Sequence, residues 1–297
     1  MPVVRSALAS LAIIVVALAG CEPNGPRATS AQLDDFGVPV PVGAAPPERI
    51  VSLNPTTTEI LFTIGAGQRV IGRSRWDLYP PEVVRVPELG DALRPSVETI
   101  LAARPDLVVL YASADNRPAA ERLRAAGIAT VGLKIDRIEE FVAATRLLGG
   151  LTGDTATART VADTVVATLD SIRARTAALD RPTVFWHIWD APLITIGSGS
   201  FLHELVQIAG GENVYGFAED ISPAVSLEDV ARRDPRFVLA GPDNAENLRR
   251  SPGWQSVAAV REGRILVVDT TLVARPSVKL GEAAASLARL LHPEVQW

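Results

Sequence analysis

One thiol is present in the 297-residue chain, and its setting suggests its chemistry. Cys21 closes the run Leu18-Ala19-Gly20-Cys21, which resembles a bacterial lipobox. Arg5 supplies a positive start, and the apolar stretch Ala7 to Ala19 is too short to span a bilayer comfortably. Cleavage before Cys21 would leave its sulfur and amine for acylation. The mature chain is then expected to be exported, on the periplasmic side of a membrane, and tethered by acyl chains rather than by a transmembrane helix. A single cysteine also excludes an intrachain disulfide.

The other reactive residue types lack the spacing that catalysis or metal binding needs. His187, His203 and His292 are scattered, so no metal site is expected. Gly197-Ser198-Gly199-Ser200 is not a GxSxG elbow, and no P-loop or HExxH run occurs. The fragment from Gly65 to Val70, GAGQRV, lacks the third glycine of a dinucleotide fingerprint and lies between a helix and a strand, the reverse of the required order. No catalytic residue, enzymatic activity or cofactor is expected.

Two carboxylates stand out by symmetry. The stretch Ser96-Val97-Glu98-Thr99-Ile100 through Val109 aligns without gaps on Ser226-Leu227-Glu228-Asp229-Val230 through Leu239, offset by 130 positions. Leu61 to Gly72 aligns on Leu205 to Gly216, offset by 144. Two matches in one order suggest a pseudo-duplicated pair of lobes. Glu98 and Glu228 then each sit near the start of a short helix, where the helix dipole stabilises a negative charge.

The elements that carry these residues alternate strand and helix on both sides of a long helical stretch, the grammar of parallel-sheet α/β lobes. That stretch, Asp154 to Leu179, has no Gly or Pro, and Val161, Val165, Leu169, Ile172 and Leu179 recur at helical spacing. As one helix it would be roughly 39 Å long. A strut between two lobes and an ordinary crossover helix both fit it. The predicted organisation is a signal segment (1–21), a flexible leash rich in Pro, Gly, Ser and Ala (22–47), a first lobe (48–152), the connecting helix (153–180) and a second lobe (181–297). With 47% hydrophobic and 21% charged residues, net charge −5 and no basic run, the chain reads as globular and without a nucleic-acid partner.

Arg49-Ile50-Val51-Ser52-Leu53-Asn54-Pro55 with Glu59, then Tyr79-Pro80-Pro81, Ser96-Val97-Glu98 and Arg104-Pro105-Asp106-Leu107-Val108 resemble the iron-siderophore/vitamin B12 periplasmic-binding family. Gly210-Gly211-Glu212-Asn213 and Val225-Ser226-Leu227-Glu228 continue the resemblance, which covers about residues 48–292. It implies a class III periplasmic-binding fold, two α/β lobes joined by one rigid backbone helix, and so selects the strut. It implies a substrate-binding lipoprotein that carries a corrinoid or ferric siderophore to the permease and ATPase of an ABC importer. A haem or metal-ion receptor of the same fold is the alternative. By position in the family's motifs, Glu98 and Glu228 would dock on permease arginines. Trp76, Tyr111 and Trp189 would be cleft aromatics, with Trp186 or Trp189 open to a core role instead, and Arg275 would be a polar ligand contact. The chain departs from the corrinoid-binding pattern at Asp91-Ala92-Leu93-Arg94 and at Thr271-Leu272; Arg94 and Arg275 together would suit a carboxylate-bearing ligand.

Overall fold

A computed structural model describes residues 32–41, 43 and 45–297. The first lobe is built on strands whose residues are apolar on both faces, the pattern of a parallel sheet covered on each side by helices. In chain order it comprises β1 (Ile50–Leu53), α1 (Pro55–Thr63), β2 (Val70–Arg73), α2 (Val97–Ala102), β3 (Leu107–Tyr111), α3 (Arg117–Ala125), β4 (Ala129–Leu133) and α4 (Ile138–Thr152). All neighbouring strands pair in parallel, in the order β2-β1-β3-β4. Ile50, Val51, Val108, Val109 and Leu110 are fully buried.

Helix α5 (Thr155–Thr176) follows, and at 22 residues it is roughly 33 Å long. It packs on α4, α6 (Phe201–Ile208) and α11 (Leu280–Leu291), so it touches elements of both lobes. Its buried stripe is Ala158, Ala162, Val165, Leu169, Ile172 and Thr176. Val161 and Leu179, expected in that stripe, are only partly buried. The reason is close helix packing: a Cβ on Gly149 of α4 would lie 2.2 Å from the Ala158 Cβ, so small residues set this face.

The second lobe comprises β5 (Thr183–Trp186), the hairpin strands β6 (Trp189–Asp190) and β7 (Leu193–Ile194), α6, β8 (Glu212–Asn213), α7 (Leu227–Arg233), β9 (Phe237–Ala240), α8 (Pro242–Arg250), α9 (Ala258–Arg261), β10 (Ile265–Val267), α10 (Thr270–Val273) and α11. Its parallel sheet runs β10-β9-β5-β8. Taken from the other edge, β8-β5-β9-β10 matches β2-β1-β3-β4 strand for strand, the arrangement the two internal alignments require. The repeat extends to local detail. Ser96 and Ser226 both cap their helices by accepting from the backbone N–H three residues on, and Arg104 and Asp234 both take positive φ, 50° and 44°, after them.

Two expectations need correction. The run Thr183 to Trp189 reads in sequence as one strand, but the strand ends at Trp186, and the chain then turns into the β6–β7 hairpin. The leash expected to run to residue 47 contains a packed strap at its C-terminal end. There the Asp34 carboxylate accepts from the backbone N–H groups of Phe36, Val38 and Gly132 and pairs with Arg124 at 2.6 Å. Phe36 lies against Gly132, where a Cβ would come within 2.2 Å of its ring, beneath the Arg117 and Arg124 guanidiniums. Composition gave no sign of this, because two residues, Asp34 and Phe36, carry most of the contact.

Candidate functional site

Both parallel sheets direct the C-terminal ends of their strands at one cavity of about 500 Å³. Asn54 follows β1, Tyr111 ends β3, Asp136 lies beyond β4, His187 follows β5, Gly241 follows β9 and Val268 follows β10, and all six line it. Open α/β sheets bind ligands at this edge, where side chains leave the sheet and helix N-termini converge. The remaining wall is mainly apolar, with Ile135, Trp186, Ile188, Ile196, Phe201 and Val273 among its residues. Ample apolar wall with a few placed polar groups is the character of a small-molecule site.

Several polar groups on the wall are held by specific partners. Asn54 caps α1, its Oδ1 accepting from the Thr56 N–H at 3.1 Å, while its buried Nδ2 has no partner. Tyr111 donates to Asp136 Oδ1 at 2.8 Å; burial, and then this carboxylate, raise its phenol well above the ordinary tyrosine range. His187 Nε2 lies 2.9 Å from Asp190 Oδ1, and the imidazole stands edge-on to Trp254. Its side chain is 0% exposed, so the histidine meets the cavity through its backbone and not its ring.

Arg275 bonds across the interlobe boundary. Its Nη2 lies 2.5 Å from Oε2 of Glu59, a carboxylate on α1 with 0% exposure. Burial raises the Glu59 carboxyl above its ordinary value, and Arg275 opposes that rise. Thr56 of the same helix donates to the Pro276 carbonyl at 3.0 Å, and Lys279 and Arg275 both stand over the Tyr79 ring. The segment 275–279 of the second lobe is therefore clasped by three residues of the first.

Of the residues predicted to bind ligand, Tyr111 and Arg275 come together in this cavity; Trp76, Trp189 and Arg94 are not in its wall. Trp76 is 56% exposed on the loop after β2, and Trp189 is 62% exposed on β6. Trp186, the other strand aromatic, is the buried one and lines the cavity. Arg94 is exposed on the loop before α2. The expected pair of arginines for a carboxylate does not form in this structure, because Arg275 is already bound to Glu59 and Arg94 is outside the wall. Asn54, Asp136 and His187 were missed, although a residue just past each apolar strand is where this edge rule would have pointed.

Glu98 and Glu228 lie in the first turns of α2 and α7 and are exposed. Their surroundings differ. Glu98 pairs with Arg122 of α3 at 2.6 Å; a backbone hydrogen bond at the helix start, and then Arg122, lower its carboxyl below the ordinary range. Glu228 has no ion pair among the described residues; its neighbour Asp229 takes Arg232, Arg233 and the Tyr215 hydroxyl. Cys21 lies outside the described residues. Among the described residues no three His, Cys, Asp or Glu side chains converge, and no helix is long and apolar enough to cross a membrane.

The sequence pattern of the family described as periplasmic binding protein matches residues 50–272. An uncharacterised ABC transporter substrate-binding lipoprotein of Bacillus subtilis is 28% identical, over 96% of this chain and 96% of its own. A vitamin B12-binding protein of Salmonella typhimurium is 27% identical over 86% of this chain and 93% of its own. The structure of a periplasmic haem-binding protein of Roseiflexus superposes with a TM-score of 0.75 at 25% identity, covering 84% of this chain and 99% of that one.

Proposed function

The chain belongs to the periplasmic binding protein family, and on that basis we propose that it is the substrate-binding lipoprotein of an ABC importer, taking a corrinoid or a ferric siderophore. It is a transport component and not an enzyme. The observation that carries the ligand reading is the cavity of about 500 Å³ at the facing strand ends, apolar over most of its wall and edged with amide, hydroxyl and guanidinium groups. A flat metal chelate with polar side arms fits that combination: its faces lie on apolar wall and its arms meet placed polar groups. Tyr111 and Arg275 are its contacts from the wall. Trp76, Trp189 and Arg94 reach the ligand only from outside the enclosed volume.

In the same reading residues 1–21 are the export signal, Cys21 carries the lipid, and the segment up to the strap is the tether. Support comes from the run ending at Cys21 and from the relative that is named a lipoprotein. Glu98 and Glu228 present carboxylates to arginines of the permease, which works with its ATPase. Bidentate arginine–carboxylate pairing suits a fixed, exposed carboxylate.

The deciding experiment is native mass spectrometry of protein purified from its own host, followed by calorimetric titration of ligand-free protein with cyanocobalamin, hemin and a ferric siderophore. A co-purified corrinoid or iron-chelate mass, with saturable binding of the same compound, is the expected result. Binding of none of the three refutes the reading.

A further inference from the structure

Among the described residues, the wall of the cavity has one carboxylate, Asp136, and one guanidinium, Arg275, and no lysine. Each is met by an opposite charge from outside the wall. The Lys134 ammonium stands 3.2 Å from Asp136 Oδ2, and Glu59 stands 2.5 Å from Arg275. Lys134 is half-exposed, but Glu59 is fully buried on α1, as are Thr56, Thr57, Thr58, Ile60 and Leu61, and its Oε1 lacks a hydrogen-bond partner. Taking a carboxylate out of water is costly even when it is paired, and an apolar residue in its place, with an apolar partner, is often no less stable. The arrangement therefore needs a reason other than stability.

We propose that Glu59 is a specificity-determining residue: it neutralises the Arg275 guanidinium on the cavity wall, so that the cleft selects a chelate whose edge at Arg275 is a neutral carbonyl, such as an amide arm, over one bearing a carboxylate. The inference rests on the reading of the cleft as a metal-chelate site and narrows it to the amide-edged class. The geometry supplies the donors. Arg275 lines the wall with a side chain 23% exposed, and Glu59 takes only its Nη2, so the remainder of the guanidinium can donate to a carbonyl acceptor. A carboxylate at that edge would meet a guanidinium already compensated, with a second negative charge fixed behind it, and like charges at short range in a poorly hydrated site oppose binding.

The test compares cyanocobalamin with its derivatives in which one peripheral amide has been hydrolysed to a carboxylic acid, titrated calorimetrically into the wild type and into Glu59→Gln. For at least one derivative, the one whose acid falls at Arg275, the wild type should bind the acid about tenfold or more weakly than the amide. Glu59→Gln should remove or invert that preference, because Arg275 is then uncompensated. Should all the acids bind the wild type as tightly as the amide, the inference is overturned, and this arm needs no variant to fold. It is equally overturned if Glu59→Gln melts at a lower temperature yet keeps the wild-type ratio, for then Glu59 only ties the lobes together. Hemin, a dicarboxylate, is the cross-check: it should gain affinity in Glu59→Gln relative to cyanocobalamin. If the wild type takes up hemin or a ferric siderophore but no corrinoid, the chelate reading stands and the assignment of Glu59 falls. If it binds no chelate at all, both fall.

Discussion

Asp77 makes the stability of the first lobe depend on pH in a calculable way. It is buried in the turn Ser74–Asp77, and its carboxylate accepts from the Ser74 N–H at 2.8 Å, the Ser74 hydroxyl at 3.0 Å and the Thr58 hydroxyl at 3.0 Å. No cation pairs with it directly, so burial dominates and raises its carboxyl from 3.8 to about 6. A raised acid holds its proton more tightly folded than unfolded. The contribution of Asp77 to stability is therefore greatest at low pH, falls as pH rises from about 4 to about 6, and is level above. The displacement from 3.8 to about 6, at 1.36 kcal/mol per unit, amounts to about 3 kcal/mol. Asp77→Asn keeps an acceptor for the Ser74 N–H, and hydroxyls can rotate to accept from its amide, so the uncharged variant loses this pH dependence. Urea denaturation of both proteins at several pH values between about 4 and 7 measures the difference. Glu59 and the other acids titrate in both proteins and cancel in the comparison. The variant should gain most of the 3 kcal/mol on the wild type across that range. A difference constant to within about 0.5 kcal/mol would refute the argument. The same turn holds Trp76, whose backbone N–H donates to the Ser74 hydroxyl at 3.2 Å, so a change in the turn should reach its indole and tryptophan fluorescence should follow the titration.

Replacing Glu98 and Glu228 together by alanine should cut uptake of the bound ligand by about tenfold or more while calorimetric affinity for that ligand stays at the wild-type value. Neither residue lines the cavity, so a loss of affinity, or uptake at the wild-type rate, would contradict the docking role. Cys21→Ala should release the protein from membranes and change its electrophoretic mobility, and a variant that stays membrane-bound with unaltered mobility would remove the case for acylation. Phe36→Ala should lower stability by about 3 kcal/mol in urea denaturation and leave ligand affinity unchanged, since the buried ring packs at Gly132 and away from the cavity.

Much of the architecture was legible because it is written in local patterns. Helix α7 spans Leu227–Arg233 behind its capping Ser226, and β4 spans Ala129–Leu133 in the apolar run after Gly127. The two internal alignments also anticipated one sheet topology in both lobes. Where local pattern failed, a distant contact had prevailed. Asp34 and Phe36 sit in a segment of low-complexity character, and only Arg124 and Gly132, far along the chain, turn it into a strap. The run Val184-Phe185-Trp186-His187-Ile188-Trp189 reads as one strand, yet His187 finds Asp190 and the backbone leaves the sheet for a hairpin.

From the sequence alone came the two lobes, the long helix between them, the cysteine at the end of an apolar leader and the symmetric pair of glutamates. Spacing within a few turns or strands, which records which face of an element is buried, shows the long helix and the paired glutamates, and the family resemblance selects the strut between two lobes. The site was decided by tertiary structure. Glu59 and Arg275 are 216 residues apart, and nothing near either one tells that a buried carboxylate on the first lobe would neutralise a guanidinium on the second. Arg275 read from sequence is a polar ligand contact for an amide or a carboxylate; placed in the fold it is half of an ion pair. A charge is set by what surrounds it in space, and only the packing of α1 against the segment 275–279 supplies that surrounding.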